Sequence, residues 1–316
     1  MREETFADKM AVLREETERI STYLAGLPAE SWTHSTACEA WQVQDVVAHL
    51  VGVAEFYAGN VSRGLEGDTE APEGRPPAGL ITAAMAADGI ALRAVAERQQ
   101  LGDRLLDQFR AVNVHLVELL ASLTPEAQTI LCYHPGGMTQ AQQFIDLRLK
   151  ELAVHEWDIR SSLDPSASLS AACLPAIIRL IDGSVASGSI RWGFRPGEPQ
   201  AEPVRYRFEV TEPVPYQIDL VVSDGAVQQE VGAGTPADVV FRCDTETFVL
   251  LVYGRLALDR ALQDGRIMAS GEPARERLLL SGSRGFKRGF RTLYPLIYEC
   301  RHETLGNFWI GSDQHP

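Results

Sequence analysis

No stretch of this 316-residue chain approaches the roughly 18 consecutive apolar residues that a membrane-spanning helix needs, so a membrane protein is not expected. No Cys-x-x-Cys pair occurs either. The five cysteines, Cys38, Cys132, Cys173, Cys243 and Cys300, are odd in number and widely scattered, which argues against a disulfide framework or a thiolate zinc knuckle and leaves free thiols. Nothing near Cys38 in the sequence lowers its pKa, so it reads as a small packing residue rather than a nucleophile. No Lys/Arg cluster offsets the formal net charge of −14, which repels phosphate backbones and anionic lipid. Neither nucleic acid nor membrane is an expected partner. The first ten residues, MREETFADKM, lack the basic start and apolar core of a secretory signal, and the expected location is the cytoplasm. Internal repeats and low-complexity tracts are missing too.

What is present is an ordinary globular composition, 45% hydrophobic and 8% aromatic, in a length that suits two compact units. Phe6, Met10, Leu13, Ile20, Leu24 and Leu27 recur at helical spacing and stop near Gly26 and Pro28. A second helix is expected from about Trp41 to Gly59. The stretch that follows over 62–79, SRGLEGDTEAPEGRPPAG, is rich in Gly, Pro and charge and reads as a mobile or disordered connection. Residues 80–98 and 101–122 read as helical, the latter with Leu105, Phe109, Val112, Leu116, Leu119 and Leu120 as its apolar stripe. His134-Pro135-Gly136-Gly137 forces a turn before a helix over 139–163.

From about residue 165 the texture changes. A Ser/Ala-rich helix over 168–187 leads to period-two segments at 204–210 and 215–223, a hairpin across Asp224-Gly225 into AVQQEV, a strand at 238–243 and a helix capped by Asp244. The run from Gly254 to Leu280 adds a helix, the short strand RIMAS and a final helix. The expected fold class is α+β in two domains: an up-and-down helical bundle over 1–165 and a smaller α/β domain over 166–290, with a tail over 291–316.

Chemistry concentrates in two segments. Glu151 and His155 are four residues apart in a segment free of Gly and Pro, so on a helix they project from one face about one turn apart. A carboxylate oxygen and an imidazole nitrogen suit zinc, iron or nickel, and two ligands require a third from elsewhere. His49 is the best candidate, at the border of the apolar face formed by Val43, Val46, Val47, Leu50, Val51 and Ala54. The same residues also fit a plainer reading, a hydrogen-bonded boundary histidine and a solvated Glu–His pair. His155-Glu156 opens like a zincin motif, but Ile159 occupies the place of its second histidine. Asp45, four before His49, and Asp158, three after His155, could each accept an imidazole N–H; Arg148 could orient Glu151. His134 could reach the mouth of such a site, although a turn residue bonded to backbone fits its place better.

Four blocks, TACEAWQVQDVVAHLV at 36–51, HPGGMT at 134–139, RLKELAVHEWDI at 148–159 and, more weakly, LLVYGRLALDRALQDGRIMASGEP at 250–273, carry a resemblance to the mycothiol-dependent maleylpyruvate isomerase family over most of the chain. The resemblance implies a DinB-like four-helix bundle followed by a sterol-carrier-like domain, with His49, Glu151 and His155 holding a divalent metal, zinc first and nickel or iron as alternatives. It further implies an actinobacterial enzyme in which mycothiol is the thiol cosubstrate and Arg255 lines the pocket between domains, a catalytic and cofactor-binding residue facing a carboxylate. A metal-bound thiol is deprotonated near neutral pH. The expected activity is attack of that thiol on a small-molecule electrophile, giving cis/trans isomerisation or S-transfer, by a monomer or homodimer. The connection over 62–79 and the segment 292–316, with Tyr294, Tyr298, Phe308 and Trp309, look longer than the core pattern needs, which points to a larger electrophile than maleylpyruvate. Two other classes stay open: a non-catalytic lipid carrier built on the second domain, and a metal hydrolase using the open coordination site.

Overall fold

A computed structural model describes residues 4–38, 41–80, 83–183, 194–196, 202–230, 234–271 and 279–281. The first domain is helical: α1 (Phe6–Ala25), α2 (Val43–Leu65), α3 (Ala83–Leu101), α4 (Leu105–Ala121) and α5 (Gln143–Leu163). Thr5 and Asp8 close a capping box at the start of α1, and Gln42 and Asp45 do the same for α2, which satisfies two of the free N–H groups at each helix start. Helices α1, α2, α4 and α5 pack on one another, while α3 lies against α2. Their facing stripes, including Leu13, Ile20, Val47, Leu50, Phe109, Leu116, Phe144 and Leu152, are buried. Helix α5 buries residues on several faces, among them Asp146, Arg148, Glu151, Glu156 and Asp158. It is the central helix, and its polar groups must find partners inside the protein.

Three expectations are corrected here. Helix α2 continues past Gly59 to Leu65, because Gly64 brings its last turn flush against the strand β1 (Leu131–Cys132); a Cβ on Gly64 would lie 2.5 Å from Cys132 Sγ. The helix expected from residue 139 starts at Gln143, since Thr139–Gln140 form β2, paired antiparallel with β1. The connection expected to be mobile is pinned. Arg63 holds the Glu70 carbonyl, Arg75 lies 4.6 Å over the Phe56 ring, the Tyr133 hydroxyl donates to Pro76 O at 2.6 Å, and Gly79 N–H donates to Pro135 O at 2.9 Å.

The chain then crosses over through a short 3₁₀ turn (Ala171–Cys173) and α6 (Leu174–Gly183), which packs on α5 and on α7 (Thr245–Val252); the Ser/Ala-rich helix therefore begins later than its composition suggests. Strands β4 (Val204–Val210), β5 (Tyr216–Ser223), β6 (Ala226–Glu230), β7 (Val239–Cys243) and β8 (Ile267–Gly271) form one sheet in the order β6-β5-β4-β7-β8. The β4–β7 pair is parallel and the others antiparallel. Strand β4 alternates as expected, burying Val204, Tyr206, Phe208 and Val210. Phe208 packs at a tilt against Phe194, Phe241 and Phe248 at ring separations of 5.1 to 5.4 Å, filling the space between sheet and helices. Asp224 and Gly225 turn the β5–β6 hairpin with φ of 49° and 71°, the left-handed values of a tight primed turn. Asp244 caps α7 by accepting from Thr247 N–H at 2.7 Å, and α8 (Leu258–Gln263) follows.

The final helix expected before residue 280 lies almost wholly outside the described residues, of which Leu279–Ser281 form β9, paired with β3 (Phe194–Pro196). The segment 292–316, with its aromatic residues, lies outside the described residues. No helix among the described residues is long and apolar enough to cross a membrane. The fold class expected from the sequence, α+β with a helical first domain and a sheet-containing second, is the one observed.

Candidate metal centre

Helix α2 delivers His49 and helix α5 delivers Glu151 and His155, so that both imidazole Nε2 atoms lie 3.3 Å from the same oxygen, Glu151 Oε2. The three donor atoms fall within 4.8 Å of one another. The two imidazoles meet edge to face with ring centres 4.7 Å apart, and the buried Trp41 indole covers both, at 5.1 and 6.1 Å.

The hydrogen bonding of His155 fixes its chemistry. Its Nδ1 lies 2.9 Å from Asp158 Oδ2, and Asp158, fully buried and ionised, can only accept, so Nδ1 carries a proton. With Nδ1 committed to Asp158, Nε2 is the nitrogen of His155 that faces Glu151 Oε2 and that would ligate a metal. Without a metal, a second proton on His155 holds the two together as a buried ion pair, a proton that a divalent ion would replace. The donor set, two imidazole nitrogens and one carboxylate oxygen, suits a divalent transition metal and leaves further positions open.

Burial sets the titration of this cluster. Burial lowers His49 to about 4, so it is neutral. For Glu151, burial pushes upward but Lys150, His155 and His49 overcome it, holding the carboxyl well below the usual carboxylate range. Burial would also lower His155, and its bonds to Asp158, Cys38 and Glu151 outweigh that and hold it well above its ordinary value. Lys150 Nζ contacts Glu151 Oε1. Nearby, the Tyr57 and Tyr253 hydroxyls stay protonated, chiefly because they are buried.

Some of the expected supporting residues sit elsewhere. Asp45 does not hold His49: its carboxylate accepts from Gln42 N–H at 2.9 Å and faces Arg98 at 3.2 Å, because it is committed to the helix cap. Arg148 does not pair with Glu151 either. Fully buried, it donates through Nε and Nη2 to Asn113 Oδ1 on α4 at 3.1 and 2.8 Å. Arg255 crosses from the second domain and donates to both oxygens of Asp158, at 2.9 and 2.6 Å. His134 accepts from Gly136 N–H through Nδ1 at 3.1 Å, which leaves Nε2 as the protonated nitrogen of a ring that burial holds at about 4. Cys38 is more than packing: its thiol lies 3.0 Å from Asp158 and 3.2 Å from Arg255. Trp41, Lys150, Tyr57 and Tyr253 were not picked out from the sequence. Trp41 precedes its helix, so helical spacing could not place it over His49.

The sequence model of the mycothiol maleylpyruvate isomerase N-terminal domain matches residues 13–160, the span that contains all three donors. The first domain is similar to that family. The model of the SCP-2 sterol transfer family matches residues 201–275, so the maleylpyruvate isomerase-type domain is joined to an SCP-2 domain. A crystal structure of a mycothiol-dependent maleylpyruvate isomerase superposes with a TM-score of 0.56 at 15% identity, covering 85% of this chain and 95% of that one. A histidine-to-alanine mutant of a mycothiol-dependent maleylpyruvate isomerase gives 0.55 at 14% identity, with the same coverage. At that identity the likeness is one of fold, and it extends over both domains. No curated protein matches the chain at a significant level.

Proposed function

We propose that the protein is a metal-dependent enzyme that uses a low-molecular-weight thiol, mycothiol, to attack an electrophilic small molecule, by isomerisation or S-transfer. The observation that carries the reading is the convergence of His155 Nε2 and His49 Nε2 on Glu151 Oε2, each at 3.3 Å, with the three ligand atoms within 4.8 Å of one another. A divalent ion held there, zinc first, supplies a Lewis acid that ionises a thiol near neutral pH.

The chain's own residues do the rest. His49 and His155 would hold the ion through Nε2, and Asp158 fixes the His155 ring by accepting at Nδ1. The Trp41 indole over both imidazoles keeps water from their outer faces. His134, neutral and with Nδ1 already accepting, offers an Nε2–H that can bond a substrate oxygen as negative charge develops on it. In the isomerising reaction the thiolate sulfur bonds to one alkene carbon while the π pair moves onto the conjugated carbonyl oxygen. Rotation and reversal then break the C–S bond and return the thiolate. In S-transfer the C–S bond is kept.

The test is turnover of a panel of conjugated electrophiles with and without mycothiol, followed by the mass of the product. Thiol-dependent turnover is expected, with unchanged mass for isomerisation and a retained thioether for S-transfer. Equal turnover without thiol overturns the reading in favour of a hydrolase. Lipid carriage is the second reading, favoured by the SCP-2 match; co-purified lipid and no zinc would support it.

A further inference from the structure

We propose that the second domain sets the metal affinity of the first, through Arg255 acting on Asp158 and Asp158 acting on His155. The inference rests on the metal reading of the triad and extends it across the domain boundary.

Arg255 is held from both ends. Its backbone N–H donates to Leu250 O at 2.8 Å just after α7, and Nη1 donates to Tyr253 O at 2.8 Å, so the guanidinium plane is fixed by its own domain. The free edge of that plane forks onto Asp158, 97 residues earlier in the chain, Nε to Oδ1 at 2.9 Å and Nη2 to Oδ2 at 2.6 Å. A two-point fork restricts rotation of the carboxylate as a single ammonium cannot. On the other side, Asp158 Oδ2 meets His155 Nδ1 at 2.9 Å and Cys38 Sγ at 3.0 Å. The carboxylate is wholly out of water, and Arg255 is the one Lys or Arg bonded to it among the described residues.

A buried carboxylate that loses its two-point fork is free to turn toward another donor. That turn removes the anionic acceptor from His155 Nδ1, which frees the ring to rotate and makes Nε2 a weaker ligand. Arg255 is thus a positioning residue for a ligand it does not touch. Coupling of this kind is reciprocal: whatever docking of the second domain adds to metal affinity, metal adds to docking.

The experiment measures zinc affinity by competition with a chromophoric chelator, on full-length protein. Arg255→Gln is expected to weaken zinc about 10-fold, the low end of what the loss of an outer hydrogen-bond partner costs. Arg255→Lys recovers part of it. Arg242→Gln, which breaks an exposed pair with Glu209 in the same domain, leaves affinity unchanged. Cobalt-loaded Arg255→Gln shows a shifted ligand-field spectrum, and zinc slows amide exchange over 250–256 in the wild type but not in Arg255→Gln. Equal zinc affinity of wild type, Arg255→Gln and Arg255→Lys overturns the inference while leaving the metal site standing. A wild type that binds no zinc overturns the metal reading itself. If Arg255→Gln does not fold, Arg255→Lys, which keeps the charge and loses the fork, decides in its place.

Discussion

Glu151 in the bundle and Asp219 in the sheet are both buried carboxylates surrounded by basic groups, yet only one of them is fully bonded by the protein. Asp219 stands directly across from Arg207 in the β4–β5 register, and Arg207 forks onto it at 2.8 and 2.9 Å while Arg205 adds a third bond at 3.1 Å. Every approach is at hydrogen-bond length. Glu151 has Lys150 on one oxygen, but its other oxygen meets two imidazoles at 3.3 Å, just beyond the usual range. A carboxylate saturated by arginine holds strands together. One left slightly open toward imidazole nitrogens keeps a place for a cation.

The contrast can be broken by exchanging what each carboxylate does. Glu151→Gln is expected to lower zinc affinity at least about 100-fold, measured by titration calorimetry, because a neutral amide replaces the one anionic ligand. Unchanged affinity would put Glu151 in the same structural class as Asp219. Asp219→Asn should have the opposite profile, with stability falling by about 2 kcal/mol in denaturant unfolding and zinc affinity unaltered. Loss of zinc in that variant would erase the distinction.

The smallest effect comes from protons. His134 is neutral in the fold down to about 4, whereas an unfolded histidine titrates near 6.5. Between those values the unfolded chain binds more protons, so the metal-free protein loses stability as the pH falls from about 6.5 to about 4. His134→Gln is expected to shallow that loss without removing it, since His49 is depressed to the same degree. An unchanged slope in thermal unfolding across that window would mean His134 is not buried neutral.

Much of this was legible in the sequence where the signal is local. The four-residue step from Glu151 to His155 and the three-residue step to Asp158 survive folding because a helix fixes them. Strand β4 and the Asp224-Gly225 hairpin were readable from alternation and turn chemistry. Residues whose partners are distant were not. Arg148 and Asp45 lie at plausible helical offsets from the triad but are claimed by Asn113 and by a helix cap. The 66–80 connection has the composition of a mobile loop, and three separated contacts, to Phe56, Tyr133 and Pro135, hold it down. Composition reports what a segment can do when left alone, not what its neighbours impose.

The corner where Cys38, Asp158 and Arg255 meet joins chain segments separated by 120, 97 and 217 residues. Closing loops of that length costs entropy before any contact returns it, so in kinetic terms this corner is expected to form late in folding. Weakening it is expected to quicken unfolding while leaving the rate of folding nearly untouched, which makes it a latch on the lifetime of the native state.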